Sequence, residues 1–130
     1  MFAAAFALAL EGRRGAWVTR YTVRDFERMR CLLAHDGRVG GALKPTAEGT
    51  ELVSVFNEGG PPGAGRAMIR QLVERGGDRL SCIGPRLRRI YEDAGFEVVE
   101  EVGWDDRHAP VGWDYERDKR PNIYVMELRR

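Results

Sequence analysis

Cysteine and histidine are scarce in this 130-residue sequence, with two of each. Cys31 and Cys82 lie far apart and belong to no paired ligand spacing, and neither they nor any carboxylate pair forms a metal motif with His35 or His108. No metal is therefore expected, and the cysteines read as free, buried thiols of the kind that suit a reducing, cytoplasmic location. Net charge is nearly absent as well. Twenty-one basic residues against 20 acidic ones leave a formal +1, so the overall balance calls for no nucleic-acid or membrane-surface partner. The apolar stretch at residues 1–10 has no basic residue before it and falls far short of the ~20 residues a membrane span needs. Its Ala and Leu content, stopped by Gly12, reads as a short helix packed on the core. Internal repeats, low-complexity tracts and a P-loop ending in Gly-Lys-Ser/Thr are missing too, and the last absence excludes a nucleoside-triphosphate site of that kind.

What the sequence does have is apolar material, 43% of the residues, which is enough for one packed core and predicts a single domain over 1–130. A short β-prone run at 16–19 comes first. Thr22 followed by Asp25 resembles a capping box, and Phe26, Met29, Leu32 and Leu33 fall at helical spacing, so an amphipathic helix is expected from there to His35. Asp36-Gly37 signals a turn. Strands are expected at 38–44, weakened by its glycines, and at 51–56, paired as an antiparallel hairpin. The period then changes. Residues 59–65 form a Gly/Pro loop, and Ala67, Met68, Leu72 and Val73 mark a helix closed by Gly76-Gly77. A buried strand at 80–83 leads to Gly84-Pro85, which opens a helix with Leu87, Ile90, Tyr91 and Ala94 on one face, ended by Gly95. Strands at 96–102 and 122–128 close the chain around a polar, aromatic stretch at 103–121.

A strand, a glycine-rich turn and a helix in that order aim unpaired backbone N–H groups and the positive end of the helix dipole at an anion. Gly63 and Gly65 would let a phosphate approach the backbone. The same glycines and prolines also suit a plain tight connection, and the loop by itself fits both readings. A dinucleotide fold is a poor match, because its glycines would follow the first strand.

The second half supplies the context. The segment Leu87-Arg-Arg-Ile-Tyr-Glu-Asp-Ala-Gly-Phe-Glu-Val98 resembles the GNAT superfamily of acyl-CoA-dependent N-acyltransferases, in which a helix carries a tyrosine four residues before a Gly-Phe pair. The order of elements matches over most of the chain. The superfamily's loop reads Arg/Gln-x-x-Gly-x-Gly/Ala; Gly60-Pro-Pro-Gly-Ala-Gly65 keeps the later positions but has Gly60 where the long polar residue stands. The strand exit Ser54-Val-Phe-Asn57, Tyr91 with Gly95-Phe96, the Trp104–Tyr115 stretch and Arg120-Pro121 are similar to those of small GNAT-like proteins of phages and mobile elements.

The resemblance implies an α/β fold (α+β) with a mixed, mostly antiparallel sheet between helices in three layers. It implies acetyl-CoA held by Val55, Phe56, Asn57, Gly60, Gly63, Ala64, Gly65 and Arg66. It also implies an amine acceptor, which could be a small molecule, a protein lysine or a modified base. N-acyl transfer needs a proton acceptor for the amine, donors for the carbonyl oxygen and an acid for the thiolate. Tyr91 matches the superfamily's tyrosine by position and would serve the sulfur, or it is simply core. Glu58 is the first choice for a base, with His108 second. Trp104, Trp113, Tyr115 and Asp106 would border a cationic amine, or the tryptophans cover the sheet as a lid. Arg86, Arg88 and Arg89 meet the 3′-phosphate of coenzyme A or form a solvated helix face. The alternative to an enzyme is a non-catalytic GNAT scaffold that binds a protein through 103–121.

Overall fold

The computed structural model describes residues 22–109 and 112–129, and the elements expected at 1–10 and 16–19 lie outside them. In chain order the elements are α1 (Val23–Glu27), β1 (Arg30–Ala34), β2 (Val39–Pro45), β3 (Thr50–Asn57), α2 (Ala64–Glu74), β4 (Arg79–Ile83), α3 (Gly84–Asp93), β5 (Phe96–Val102), α4 (Tyr115–Asp118) and β6 (Ile123–Leu128). A 3-10 turn at Asp106–His108 lies within the last connection.

The helix expected up to His35 ends at Glu27, and the residues after it form a strand. The capping box does start α1: Asp25 N–H donates to Thr22 Oγ1 at 3.1 Å, and Thr22 N–H donates to Asp25 Oδ2 at 2.9 Å. The override is tertiary. All five residues of β1 pair antiparallel with β2, from Arg30↔Leu43 to Ala34↔Val39, which satisfies a strand edge that a helix would leave bare. The turn at 35–38 carries positive φ at His35 (53°), Asp36 (56°) and Gly37 (81°), with Arg38 N–H on His35 O at 3.2 Å. An Asp-Gly pair tolerates left-handed backbone at the centre of such a turn.

The strand order is β1-β2-β3-β4-β6-β5, with every neighbour antiparallel except β3 and β4. Helices α2 and α3 cover one face, where Met68, Ile69, Leu72 and Tyr91 pack with Val39, Leu43, Leu52, Leu80, Tyr124 and Met126. On the other face Phe26 of α1 packs with Cys31, Ala42, Val53 and Phe56. Fully burying a side chain such as Leu72 or Phe26 stabilises by about 1.5–3 kcal/mol each. The glycines that weaken β2 on propensity serve this packing: a Cβ at Gly40 would meet the Phe56 ring, and one at Gly41 would meet Leu72. Among the described residues no helix is long and apolar enough to cross a membrane.

Candidate functional site

The only parallel neighbours among the described strands, β3 and β4, touch at a single register pair, Glu51↔Arg79. Asp78 clamps this closed end. Its N–H donates to Thr50 O and its Oδ1 accepts from Thr50 N–H, both at 2.9 Å, while Leu128 N–H reaches Asp78 O at 2.9 Å. Beyond the clamp the strands part.

A bulge on β3 turns the strand there. Gly40↔Phe56 and Ala42↔Val53 place one extra β3 residue against β2. Within the bulge Ser54 takes φ 55°, is 5% exposed, and keeps its Oγ buried with no hydrogen-bond partner among the described residues. Left-handed backbone at a non-glycine costs about 1–3 kcal/mol, and a buried unmet hydroxyl costs about 1–3 kcal/mol more. Ser54 was not singled out by the sequence reading, because neither a bulge nor an orphaned hydroxyl leaves a mark in composition or spacing.

Where β3 ends, Asn57 shapes the glycine-rich loop. Its Oδ1 accepts from Gly60 N–H at 2.8 Å, its Nδ2 lies 3.5 Å from Pro61 O, and Arg38 Nη1 donates to Gly59 O at 3.3 Å. Gly60 has no room for a side chain: a Cβ would overlap Val39 Cγ2 and lie 2.6 Å from Asn57 Oδ1. The long polar residue is thus missing for a steric reason. Gly63, at φ 83°, caps α2 without a side-chain bond, and Ala64 turns inward to the core. Ala64 N–H is used by Pro61 O and Ala67 N–H by Gly63 O, which leaves Gly65 and Arg66 N–H with no acceptor among the described residues. These two amides, at the positive end of an 11-residue helix, can receive an anion.

A cleft of about 470 Å³ beside that end is lined by Arg66, Pro85, Arg86, Arg89 and Ile90. Arg66 also bonds Asp93 Oδ2 at 2.9 Å, tying the first turn of α2 to α3. Two of the three α3 arginines therefore face the anion end, whereas Arg88 lies over the Tyr124 ring at 4.9 Å and pairs with Glu92 at 3.5 Å.

This architecture has solved counterparts. The ribosomal-protein-S18-alanine N-acetyltransferase of Escherichia coli superposes with a TM-score of 0.61 at 16% identity, over 94% of this chain and 86% of that one. The ribosomal-protein-alanine N-acetyltransferase of Brucella melitensis superposes with a TM-score of 0.58 at 18% identity, over 98% of this chain and 91% of that one. The chain has the GNAT fold. At the level of sequence, no protein-family model and no curated protein matches it.

Within the GNAT fold Tyr91 is 8% exposed, edge-on to Phe96 with ring centroids 6.0 Å apart. Burial, and secondarily the neighbouring Cys82 thiol, raise its phenol above the ordinary value of 10, so it is a neutral hydrogen-bond donor at any physiological pH. Burial likewise pushes the Cys82 thiol up to about 12, and Cys82 Sγ lies 3.8 Å from Met126 Sδ. Both cysteines are free and buried. Glu58 follows β3 directly, with its N–H on Arg38 O at 2.7 Å.

The aromatic residues of the 103–121 stretch meet one another. Trp104 lies tilted against Trp113, with ring centroids 4.7 Å apart, and meets Tyr115 edge-on at 6.0 Å. Trp113, 8% exposed, donates from Nε1 to Lys119 O at 2.9 Å. Asp106 accepts from Trp104 Nε1 at 2.9 Å and from Arg120 Nε at 3.1 Å, and Arg120 lies over Tyr115 at 4.9 Å. The Arg120 hydrogen bond holds the Asp106 carboxyl below its ordinary value. Asp106 thus has Arg120 for a counter-ion. His108 falls on the 3-10 turn.

Proposed function

We propose that this protein is an acyl-CoA-dependent N-acyltransferase that acts as one domain, takes acetyl-CoA into the β3–β4 opening and acylates an amine. The observation that carries the reading is the junction of a splayed parallel strand pair with an α2 N-terminus whose Gly65 and Arg66 amides lack acceptors. The residues fit the cofactor: two amides for the pyrophosphate, and Arg66, Arg86 and Arg89 around a cleft for further phosphate charge. Gly60 takes no direct part through a side chain; the backbone and the cleft arginines do that work. Bound acetyl-CoA supplies an activated acyl carbonyl and a thiolate leaving group. A reducing cytoplasm suits both that thioester and the free thiols.

Tyr91 faces a thermodynamic limit. A phenol at its ordinary value of about 10 is a weaker acid than a thiol near 8.5, so full proton transfer to a thiolate is uphill by about 2 kcal/mol, and burial widens the gap. Tyr91 therefore stabilises a leaving thiolate by a hydrogen bond, and the proton that the thiolate finally takes up is the one the amine loses, returned through solvent. Glu58, at the exit of β3, accepts the amine proton directly or through water, with His108 as the second candidate. The aromatic stretch borders the acceptor, with Trp104, Trp113 and Tyr115 offering its apolar wall.

Calorimetric titration with acetyl-CoA, followed by a free-thiol assay with an amine panel, tests the reading. Micromolar binding and amine-dependent thiol release are expected. No binding at millimolar acetyl-CoA would overturn both the activity and the role of the loop.

A further inference from the structure

The loop between β3 and α2 has glycine at 59, 60, 63 and 65. Glycine has more backbone freedom to lose than any other residue, so an unrestrained loop of this kind would have to be ordered each time a ligand bound. Asn57 supplies the restraint. Its backbone is fixed by β2, where it pairs with the fully buried Val39. Its side chain reaches across the loop: Oδ1 accepts from Gly60 N–H at 2.8 Å, Nδ2 lies 3.5 Å from Pro61 O, and a Cβ at Gly65 would meet Asn57 Cβ at 3.7 Å. One side chain thus serves both ends of the loop.

The choice of an amide over a carboxylate indicates what the loop receives. Aspartate would accept from Gly60 N–H through a stronger, charge-assisted bond, and its charge would favour the positive end of α2. Little else does so, since Gly63 gives no side-chain cap and the first turn of α2 holds no acid. For the protein alone, aspartate is the better residue. A neutral side chain becomes the better one once a negative group comes to the Gly65 and Arg66 amides beside it.

Resting on the acyl-CoA reading above, we propose that Asn57 is a positioning residue for the pyrophosphate of bound acetyl-CoA, holding the loop in its binding shape before the cofactor arrives and staying uncharged so that the phosphates are not repelled. Its side-chain oxygen is spent on the loop and not on the ligand. Preorganisation of this kind raises affinity by lowering the ordering cost of binding.

The variants Asn57→Ala and Asn57→Asp separate the two parts of the role. Alanine removes the bond to Gly60 N–H, whereas aspartate keeps it and adds a charge. Amide hydrogen exchange should show Gly60 N–H protected in the wild type and in Asn57→Asp but open in Asn57→Ala. In calorimetry with CoA, Asn57→Ala should bind about 2- to 10-fold more weakly than wild type, the worth of one neutral hydrogen bond. Asn57→Asp should bind at least as weakly although its loop is intact, and its deficit relative to wild type should shrink with added salt. A purely structural residue would show no deficit in the aspartate variant. CoA affinity within about 2-fold of wild type in either variant overturns the Asn57 proposal and leaves the cofactor reading standing. So does Gly60 exchange that alanine leaves unchanged, or an aspartate deficit that salt leaves unchanged. Failure of the wild type to bind CoA at all overturns both.

Discussion

One added methyl group should have opposite effects at the two ends of the glycine-rich loop. At Gly60 the new Cβ would overlap Val39 Cγ2 and lie 2.6 Å from Asn57 Oδ1. Neither neighbour has room to retreat, since Val39 is fully buried and Asn57 Oδ1 holds the Gly60 N–H at 2.8 Å. Overpacking of this kind costs about 1–3 kcal/mol. For a domain of this size each kcal/mol lowers Tm by about 3–6 °C, so Gly60→Ala should melt about 3–18 °C below wild type. Gly65 differs because its Cβ would meet only Asn57 Cβ, at an ordinary 3.7 Å, and its φ is not positive. Alanine is the better helix former by about 0.5–1 kcal/mol, so Gly65→Ala should melt a few degrees higher. Thermal denaturation followed by circular dichroism measures both. A Gly60→Ala protein that melts at or above wild type, or a Gly65→Ala protein that melts below it, would refute the steric account of the loop. Gly60→Gln, which restores the GNAT side chain, should then weaken coenzyme A binding and not tighten it.

Tyr91→Phe keeps the ring edge-on to Phe96, so its Tm should change little, while acetyl-CoA-dependent thiol release falls about 10-fold or more with the Kd for CoA unchanged. Asp78→Ala removes the acceptor of Thr50 N–H and the partner of Arg79 at the closed end of the opening, and should cost about 1–3 kcal/mol in guanidinium unfolding. Replacing Arg86 and Arg89 together by alanine should raise the Kd for CoA and flatten its dependence on salt; an unchanged titration curve would remove the cleft from the binding site. For Asp106 the folded carboxyl titrates below its ordinary 3.8, so its contribution to the aromatic cluster is present above that value and is lost as pH falls from there through the depressed one. Tryptophan fluorescence should show this acid transition in wild type and lack it in Asp106→Asn.

The second half of the chain was legible in sequence because its punctuation is local. Gly76-Gly77, Gly84-Pro85 and Gly95 bracket elements whose observed ends agree to within a residue or so with those expected from the apolar spacing. The first half was misread at Leu32 and Leu33. Their helical spacing from Phe26 is genuine, but the open edge of β2 decides the outcome, and an edge is a property of the sheet. The Asp36-Gly37 turn carried the hairpin signal, and a strand before it was the reading that this signal favoured. Gly60 looked like a lapse in the GNAT motif, and only the packing of Val39 and Asn57 gives its reason. Arg86, Arg88 and Arg89 could not be sorted from sequence, because which of them faces the cleft depends on how α3 rolls against α2. Ser54 was invisible for the same kind of reason: a bulge is a mismatch between two strands and belongs to neither sequence alone.

The candidate site follows from the one parallel contact among the described strands, whose other pairings are antiparallel. Because β3 and β4 run the same way, the helices that follow them begin at the same edge, which brings the positive end of α2 and the arginines of α3 to one cleft. Parallel strands paired along their full length would leave no slot beneath that cleft. The Asp78 clamp confines pairing to the opposite end, and the bulge at Ser54 turns β3 away above it. The proposed anion site and the slot are thus separable. Loss of the clamp should loosen the slot without removing any phosphate contact, so Asp78→Ala ought to lower the preference for acetyl-CoA over CoA while leaving CoA itself bound. Substitution of Arg86 and Arg89 should do the reverse, weakening both ligands by the same factor.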